Sequence, residues 1–557
     1  MRLLVVILMA LAYAASARAA DDPSGVSHYG PSGDYAASAR AADDPPPPHF
    51  TDFKAASGIA ASYDGDWQFM VGGGVAAFDC AHDGRPSVLI AGGQSKAKFF
   101  RNLSKPGGVP KFELQASGLE LESVIGAYPI DIDGDGEVDL VVLRIGEIDL
   151  MRGLGNCRFE NANGLWGFQS QDAWWTAFSA TWEKGQKWPT LAFGSYIDRS
   201  KDEPWGTCTQ NLLYRPAEDK GEPQRRFTTP IPLAPSYCPL SMLFTDWNRS
   251  GAPSLRVTND REYYEGGQEQ MWRVPPGEPP RLYTEAEGWK YLRIWGMGIA
   301  SYDLSGSGYP DYFLTSMADQ KLQRVDRPGG GAPGKPGFTD IAFPKGVTAA
   351  RPYAGGDMRP STGWHAQFED VTNSGLVDLF VAKGNVAEMK DFAAKDPSNL
   401  LMQRADGSFV EMGEKAGLVS FGQARGAALA DFNLSGRVDV LVVNRNSPAQ
   451  FWLNDTPALG HWIELQAVQD GANRNAISGW IELKVGDRVQ RRELTIGGGH
   501  AGGQLTWVHF GLGEARQAEA RVIWPDGTAE DWRPVESDAF YWMRRGEGPV
   551  RWTPRPD

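Results

Sequence analysis

A chain of 557 residues is too long for one ordinary hydrophobic core, so we expect several domains or one large repeat architecture. Its 66 glycines, 38 prolines and 20 tryptophans, without any long stretch of helical periodicity, predict a turn-rich all-β protein. The formal net charge of −14 disfavours partners that require clustered Lys and Arg, so we expect no nucleic acid and no anionic membrane as partner.

The first 19 residues have the pattern of a signal peptide. A basic N-terminus precedes the apolar run Leu3 to Ala12, and Ala17 and Ala19 fit the A-x-A cleavage rule. The apolar run is shorter than the roughly 18 residues that a membrane anchor needs. We therefore predict an exported protein, periplasmic or extracellular, without membrane insertion.

Residues 20–49 have the character of a flexible linker. The segment Tyr13 to Pro23 recurs verbatim as Tyr35 to Pro45, beside a run of prolines. We exclude this region from the fold and expect the first domain to begin at residue 50.

Four cysteines occur, and no C-x-x-C motif is present, so a thiolate metal site is not expected. In an oxidising compartment Cys208 and Cys238 are close enough in sequence to close one loop as a disulfide. Four free thiols are the alternative.

Residues 50–455 repeat one pattern at intervals of roughly 60 residues, which suits four strands per blade of a β-propeller. Each copy has Asp at position 1, oxygen-bearing residues at positions 3 and 5, Gly at position 6 and a short β-rich run after position 9. In chain order the copies begin at Asp79 (degenerate, with Asp83), Asp131, Asp246, Asp303, Asp370 and Asp431. A seventh unit, around Trp182 to Thr190, keeps the flanking strands and lacks the carboxylates.

A second repeated phrase indicates how the ring closes. An aromatic-led or apolar strand follows each of the first six units, but none follows Trp452, and the missing copy lies at Phe50 to Ile59. An unpaired edge strand would expose its backbone donors, so the first strand should complete the last blade. We predict a seven-bladed β-propeller, with an open array of β-units as the alternative.

The remaining residues, 456–557, form a second predicted β-domain. Its marks are the glycine-rich run Gly497 to Gln504, then Val508-His-Phe-Gly-Leu-Gly513, then Val522-Ile-Trp-Pro-Asp-Gly527. His461 precedes Trp462 at the expected start of this domain.

These motifs resemble a known family. The Asp loops are similar to the FG-GAP (VCBS-type) repeats of integrin-α-like propellers, and the C-terminal phrases resemble the ASPIC/UnbV domain. Together they resemble the cartilage acidic protein 1 family over almost all of Phe50 to Arg551. One departure lies at His500 to Gln504, where the expected Tyr-Leu-Ser-Gln is replaced by Ala-Gly-Gly-Gln after the histidine. The resemblance implies a rigid disc that binds a protein or a glycan on a loop face.

The Asp loops suit calcium, which takes six to eight oxygen ligands from alternating positions of a tight loop. The Asp131 loop carries four carboxylates and should bind best, whereas the other loops carry fewer charges. Asp, Asn and Ser are also ordinary turn residues that cap a loop without an ion, which is the alternative. The predicted calcium ligands are Asp131, Asp133, Asp135 and Asp139; Asp303, Ser305, Ser307 and Asp311; Asp370, Thr372, Ser374 and Asp378; Asp431, Asn433, Ser435 and Asp439; and Asp246, Asn248 and Ser250.

The polar and aromatic residues before the Asp loops are expected to line the central channel, where one mouth is a candidate ligand site. The candidate ligand-binding residues are Trp295, Trp364, His365, Arg425 and His500. Packing between blades is the alternative for the aromatic residues, and a simple hairpin is the alternative for the glycines around His500.

The chain lacks G-x-S-x-G, H-E-x-x-H and P-loop motifs, so no catalytic residue is predicted. We expect a calcium-stiffened recognition protein, and long insertions at Asp198 to Tyr237 and Lys383 to Ser398 favour loop contacts. The alternative is an exported enzyme or a biosynthetic accessory protein with a site at the channel mouth.

Overall fold

The computed structural model describes residues 44–217, 226–260, 267–457 and 459–554. The predicted signal peptide, residues 1–19, and most of the predicted linker lie outside these ranges. Nearly all regular structure in the described residues is β-strand, as the composition predicted. The short helices are α1 (Lys54–Ser57), α2 (Asn163–Trp166) and α3 (Ala342–Lys345), with 3₁₀ turns at Trp67–Phe69, Glu285–Glu287 and Pro328–Gly330.

The strands up to residue 454 fall into consecutive antiparallel sets of four. They are β1 (Phe50–Asp52), β2 (Val75–Phe78), β3 (Ser87–Ile90), β4 (Lys98–Asn102), β5 (Phe112–Leu114), β6 (Val124–Ile130), β7 (Asp139–Gly146), β8 (Asp149–Gly153), β9 (Phe159–Asn161), β10 (Ala173–Thr181), β11 (Thr190–Ser195), β12 (Asn211–Tyr214), β13 (Pro230–Leu233), β14 (Pro239–Thr245), β15 (Ser254–Asn259), β16 (Gln270–Arg273), β17 (Arg281–Leu282), β18 (Gly296–Tyr302), β19 (Asp311–Ser316), β20 (Lys321–Val325), β21 (Phe338–Asp340), β22 (Gly363–Glu369), β23 (Asp378–Lys383), β24 (Asn399–Gln403), β25 (Phe409–Glu411), β26 (Gln423–Ala430), β27 (Asp439–Arg445) and β28 (Gln450–Asn454).

These sets form a closed β-propeller. The first strands contact one another in cyclic order, β2, β6, β10, β14, β18, β22 and β26, and β26 returns to β2. We interpret each set of four strands as one blade, numbered 1 to 7 from β2. The first strands of blades 2, 3 and 4 are buried along their whole length, whereas the fourth strands of blades 1, 2 and 5 expose two of their three residues. Neighbouring blades cover the inner strands on both faces, which explains their continuous apolar runs.

Ring closure occurs at the N-terminal strand. β1 pairs antiparallel with β28, with Phe50 opposite Asn454 and Asp52 opposite Trp452, and the Phe50 side chain is buried in the core of blades 6 and 7. Of the predicted closing segment Phe50 to Ile59, residues Phe50–Asp52 thus pair with the last blade, whereas Lys54–Ser57 form the short helix α1.

The C-terminal domain has its own apolar core between two four-stranded sheets. Its strands are β29 (His461–Val468), β30 (Trp480–Val485), β31 (Arg488–Glu493), β32 (Gln504–Leu505), β33 (Val508–Gly513), β34 (Gln517–Ile523), β35 (Arg533–Glu536), β36 (Ala539–Arg544) and β37 (Gly548–Trp552). The sheet orders are β33-β29-β36-β37 and β31-β30-β34-β35, while β32 leaves the domain and pairs parallel with β2 of blade 1.

Two disulfides link loops of the propeller. Cys208 is joined to Cys238, the pair that the sequence spacing favoured, and Cys80 is joined to Cys157. The second bridge was not predicted, because 77 residues separate its two cysteines. It connects the Asp79 loop of blade 1 to the turn between the third and fourth strands of blade 2. No helix among the described residues is long and apolar enough to cross a membrane.

The closing strand yields a stability prediction. Replacing Phe50 with Ala should lower the free energy of unfolding by about 3–5 kcal/mol, because a buried ring is lost at the seam of the ring. Urea denaturation followed by tryptophan fluorescence measures the change. Leu114→Ala, at an exposed position of the outer strand β5, is the matched control and should change stability little. Equal effects of the two substitutions would contradict a structural role for the seam.

Candidate metal loops and the channel plug

Each Asp loop joins the first strand of a blade to the second and is organised by the Asp at position 1. One carboxylate oxygen of that Asp accepts the backbone N–H of the glycine at position 6, over 2.6 to 3.1 Å, in all six loops. Every one of these glycines has a positive φ, between 75° and 92°, which a residue with a Cβ adopts only with strain. The Asp and Gly of the pattern thus shape the turn before any ion is considered.

The Asp131 loop has the strongest concentration of carboxylates. Oxygens of Asp131, Asp133 and Asp139 lie within 4.8 Å of one another. The fourth carboxylate, Asp135, turns toward Arg152, whose guanidinium donates to Asp135 Oδ2 at 2.7 Å and to Asp133 Oδ2 at 2.9 Å. Four carboxylates against one guanidinium leave an excess of negative charge, and three of them converge as a hard cation requires.

Burial of these acids shifts their protonation. Desolvation raises the pKa of Asp131 to about 6 and raises the pKa of Asp139 well above its usual range. Desolvation, with the charge of Asp135, also raises the pKa of Asp133. A bound cation or a proton would relieve the same unfavourable charge.

The Asp431 loop also fits a cation, although it has only two carboxylates. Oδ1 of Asn433 at position 3 and Oδ2 of Asp439 at position 9 are buried oxygens without a hydrogen-bond partner. Burial and the charge of Glu464 raise the pKa of Asp431 to about 7, and burial raises the pKa of Asp439 well above its usual range. Ser435 Oγ donates to Asp431 at 3.4 Å.

The remaining loops differ from these two. In the Asp370 loop Ser374 and Thr372 donate to Asp370, and burial together with Asp370 raises the pKa of Asp378 well above its usual range. The Asp246 loop has Ser250 bonded to Asp246 and an unpartnered Asn248 Oδ1, and it lacks a carboxylate at position 9.

The Asp303 loop does not fit a cation. Asp303 pairs with Arg491 at 3.1 Å, Asp311 receives two hydrogen bonds from Arg324 at 2.8 and 2.9 Å, Ser307 bonds to Asp303, and Ser305 is exposed.

The C-terminal domain covers the face of the propeller that carries the Asp loops. Trp462 lies against the Asp431 loop, where a Cβ on Gly436 would stand 1.9 Å from its ring, and His509 Nε2 is 2.7 Å from Asn373 Oδ1 in the Asp370 loop. The Glu493 carboxylate accepts the backbone N–H of Asp246, and Trp507 Nε1 donates to the Gly84 carbonyl in the degenerate Asp79 loop.

A glycine-rich segment of the same domain enters the central channel. We call residues 496–505 the plug. Its backbone bonds to inner strands of several blades: Ser179 Oγ donates to Ile496 O, Gly498 N donates to Met242 O, Gly499 N donates to Ile299 O, and Ala77 N donates to Gly503 O. The approach is so close that a Cβ on Gly126 would stand 1.6 Å from the Ala501 carbonyl oxygen.

His500 is buried at the inner end of the plug. It accepts a hydrogen bond from Gly72 N at Nε2 (3.1 Å), Nδ1 faces Met297 O at 3.2 Å, and its backbone N–H donates to His365 Nδ1 at 3.2 Å. These partners assign the proton of the neutral imidazole of His500 to Nδ1. Burial lowers the pKa of His500 to about 3 and that of His365 to about 4.

Four of the five predicted ligand-binding residues therefore meet in the interior. The Trp364 ring lies 4.9 Å from the imidazole of His500, and the Arg425 guanidinium lies 4.1 Å from the Trp364 ring and donates to the carbonyls of Met70 and Val386. Trp295 is half-buried and packs against the main core. The sequence indicated their proximity to the channel, but the prediction did not include the chain's own plug as the group that contacts them.

The C-terminal phrases correspond to a described family. The family model of ASPIC and UnbV matches residues 469–550. The chain carries an ASPIC/UnbV domain. A stretch of 166 residues is 28% identical to Cartilage acidic protein 1 of Homo sapiens, covering 28% of this chain and 22% of that protein. A stretch of 169 residues is 26% identical to Cartilage acidic protein 1 of Xenopus tropicalis, covering 29% and 23%.

The matched stretch spans about a fifth of the length of these curated relatives, so the similarity is local. It confirms the resemblance to the cartilage acidic protein 1 family over this stretch, which is shorter than the span Phe50 to Arg551 that the sequence motifs indicated.

Among solved structures, the chain is similar to BBS1N in its complex with ARL6DN, with a TM-score of 0.42 and 12% identity over 74% of this chain and 99% of that one. It is also similar to the BP39L lectin from Burkholderia pseudomallei, with a TM-score of 0.42 and 11% identity over 70% and 98%. An Agrocybe aegerita lectin gives a TM-score of 0.28 and 14% identity over 69% and 81%.

The plug predicts a defined response to acid. His500 is neutral in the folded protein, whereas a histidine in the unfolded chain becomes protonated below a pH of about 6.5. As the pH falls from 6.5 toward the folded pKa, the unfolded chain therefore binds more protons than the folded protein, and the free energy of unfolding decreases. For His500 the loss amounts to about 2 kcal/mol at pH 5. His500→Gln should therefore flatten the dependence of unfolding free energy on pH between 6.5 and 4. Urea titrations at several pH values measure it.

Leu114→Ala, at an exposed position without a titratable group, is the control and should keep the slope of the parent protein. An unchanged slope in His500→Gln would show that His500 titrates normally.

Proposed function

We propose that the protein is an exported, calcium-binding β-propeller that recognises a protein or a glycan through the loop face opposite its ASPIC/UnbV domain. The observation that carries the proposal is the division of the propeller into a covered face and an open face. The C-terminal domain lies over the Asp loops, so recognition has to use the other end of the blades.

Calcium is the cation that best suits the covered face. The converging carboxylates of Asp131, Asp133 and Asp139 are hard oxygen ligands in a loop with a backbone carbonyl available at position 7. The unpartnered oxygens of Asn433 and Asp439 support a second site in the Asp431 loop. Ions bound only by the folded chain stabilise it, by about 2.7 kcal/mol at a hundredfold excess over the dissociation constant.

The open face follows from strand alternation. In each blade the Asp loop lies at one end, so the connectors from a fourth strand to the next first strand lie at the opposite end. Large apolar side chains stay exposed on these connectors: Trp67 (40%), Tyr291 (51%), Met358 (70%) and Phe421 (45%). Trp67 also packs against Trp205, 5.4 Å away in the β11–β12 loop that the Cys208–Cys238 bridge holds. Exposed aromatic side chains on rigid loops suit recognition.

Export is supported by the two disulfides, which persist in oxidising compartments. The enzyme alternative placed its site at the channel mouth, but the side chains of His365 and His500 are both buried, and the backbone N–H of His500 donates to His365 Nδ1. We therefore propose binding rather than catalysis for this fold.

Calcium binding is tested by Asp133→Asn. Removing one of the converging charges should weaken the tightest calcium site by about tenfold, or about 1.4 kcal/mol, because affinity follows the number of ligand charges. Isothermal titration calorimetry measures the affinity, and melting with calcium or with chelator measures the stabilisation. Asp172→Asn, at an exposed carboxylate paired with Arg199, is the matched control and should bind as the parent protein does. No calcium-dependent heat in the parent protein would refute the calcium proposal.

Recognition is tested at Trp67. Trp67→Ala should lower binding to any glycan or extracellular protein captured on arrays by tenfold or more, or about 1.4 kcal/mol, if the open face makes the contact. Val109→Ala removes a side chain that is 63% exposed on the covered-face side of blade 1 and should leave binding unchanged. A larger loss of binding in Val109→Ala than in Trp67→Ala would mean that the ligand binds the covered face, which would contradict the proposal.

A further inference from the structure

The Asp303 loop has a charge balance unlike that of the Asp131, Asp370 and Asp431 loops. Its two carboxylates, Asp303 and Asp311, face two guanidinium groups, those of Arg491 and Arg324. Among the described residues no Lys or Arg lies within ion-pair distance of Asp370, Asp378, Asp431 or Asp439 in the sister loops. The charge of the Asp303 loop is therefore matched without an ion.

The guanidinium that reaches Asp303 comes from the other domain. Arg491 lies on β31, and its Nη1 is 3.1 Å from Asp303 Oδ2 and 3.2 Å from the carbonyl oxygen of Gly306 at position 4 of the loop. The Asp303 side chain is completely buried, so Arg491 provides a positive charge to a carboxylate that water does not reach.

Arg491 is held in this orientation by a buried acid of its own domain. Its Nε donates to Glu482 Oε1 at 3.1 Å. The Glu482 carboxylate also accepts hydrogen bonds from Arg249 at 3.0 Å and from Arg521 at 2.8 Å. Burial raises the pKa of Glu482, but the guanidinium groups of Arg521 and Arg249 outweigh burial and lower it below its usual value. Glu482 thus stays ionised and fixes the fork of Arg491 beside the loop.

The other loops meet different groups of the same domain. Gly511 stands against Asp370, where a Cβ would lie 1.9 Å from Asp370 Oδ2, and Trp462 lies on Gly436 of the Asp431 loop. Neither residue brings a positive charge. Arg488 of the covering domain lies near Gly375 in the Asp370 loop, but among the described residues no Lys or Arg forms an ion pair with Asp370 or Asp431, whereas Arg491 forms one with Asp303.

We propose that Arg491 is a built-in replacement for the cation of the Asp303 loop. Calcium and the docked ASPIC/UnbV domain then compete for Asp303, while the Asp131 and Asp431 loops accept an ion with the domain in place. The inference rests on the proposed calcium binding of the sister loops, and it is an alternative to the prediction that Asp303, Ser305, Ser307 and Asp311 form a calcium site.

The test counts calcium per chain by equilibrium dialysis and elemental analysis of the full-length protein. Arg491→Gln should bind one more calcium than the parent protein, with an affinity at the weak end of the range for extracellular modules, about 10⁻³ M, because Asp303 is released while Asp311 stays paired with Arg324. Arg491→Gln combined with Asp303→Asn should lose that additional ion. Arg521→Gln removes another arginine from Glu482 without touching Asp303, and it should keep the parental number.

An unchanged number in folded Arg491→Gln, or the same gain in Arg521→Gln, would overturn the proposal. Asp303→Asn alone provides an independent arm that does not depend on how Arg491→Gln folds. It should bind as many ions as the parent protein, and the loss of one ion would show that calcium occupies the loop despite Arg491. A parent protein without any calcium would refute the proposed function, whereas a gain in Arg491→Gln would still support this inference.

Discussion

The arrangement of the two domains depends on the close approach of the plug to the inner strands. The plug lies where Gly74 and Gly126 leave no space for a Cβ beside the Ala501 carbonyl oxygen. Because the plug bonds through its backbone to several blades, its depth and its orientation in the channel are fixed. The strands that precede and follow it, β31 and β33, are thereby set against the Asp loops, and the remaining contacts between the domains follow from that placement.

Covering the Asp loops removes their carboxylates from water, which costs several kcal/mol for each ionised group without a partner. The covered face meets this cost in two ways. Asp303 and Asp311 receive guanidinium groups, which place a positive charge beside each carboxylate inside the interface. Asp431 and Asp439 have no such partner among the described residues, and burial raises their pKa, so at neutral pH they require a proton or a cation. Loops with the same sequence pattern therefore compensate their buried carboxylates in two ways, with arginine side chains or with a proton or a cation.

The local features of this face were predictable from the sequence, because they depend on neighbouring residues. The Asp at position 1 and the Gly at position 6 define a turn whose hydrogen bond is the same in all six loops. The closing strand was predictable because its phrase at Phe50 is absent after Trp452. The partners of these loops were not predictable, since Arg491 and Asp303 are separated by 188 residues and no periodic pattern connects them.

The plug shows where sequence reasoning reached its limit. The glycines around His500 correctly indicated a close backbone approach, and a ligand or a hairpin was the natural interpretation. The available signal was the second set of glycines, Gly72 to Gly74, Gly126 and Gly298, at the starts of inner strands. The glycines of the plug and those of the inner strands allow the two backbones to approach closely. They are far apart in sequence, however, and they meet only when the ring closes.

The covered and open faces place different demands on the same blades. A loop on the covered face contacts two domains, so a change there alters charge balance and domain position together. The connector that carries Trp67 packs against the β11–β12 loop of blade 3 and bonds through Gly72 N to His500 of the plug, while the Trp67 side chain itself stays 40% exposed. Under the proposed function, ions bound on the covered face lie at the opposite end of the blades from the recognition surface. Calcium would then affect recognition by stabilising the blades that position the connectors, and not by contacting the ligand.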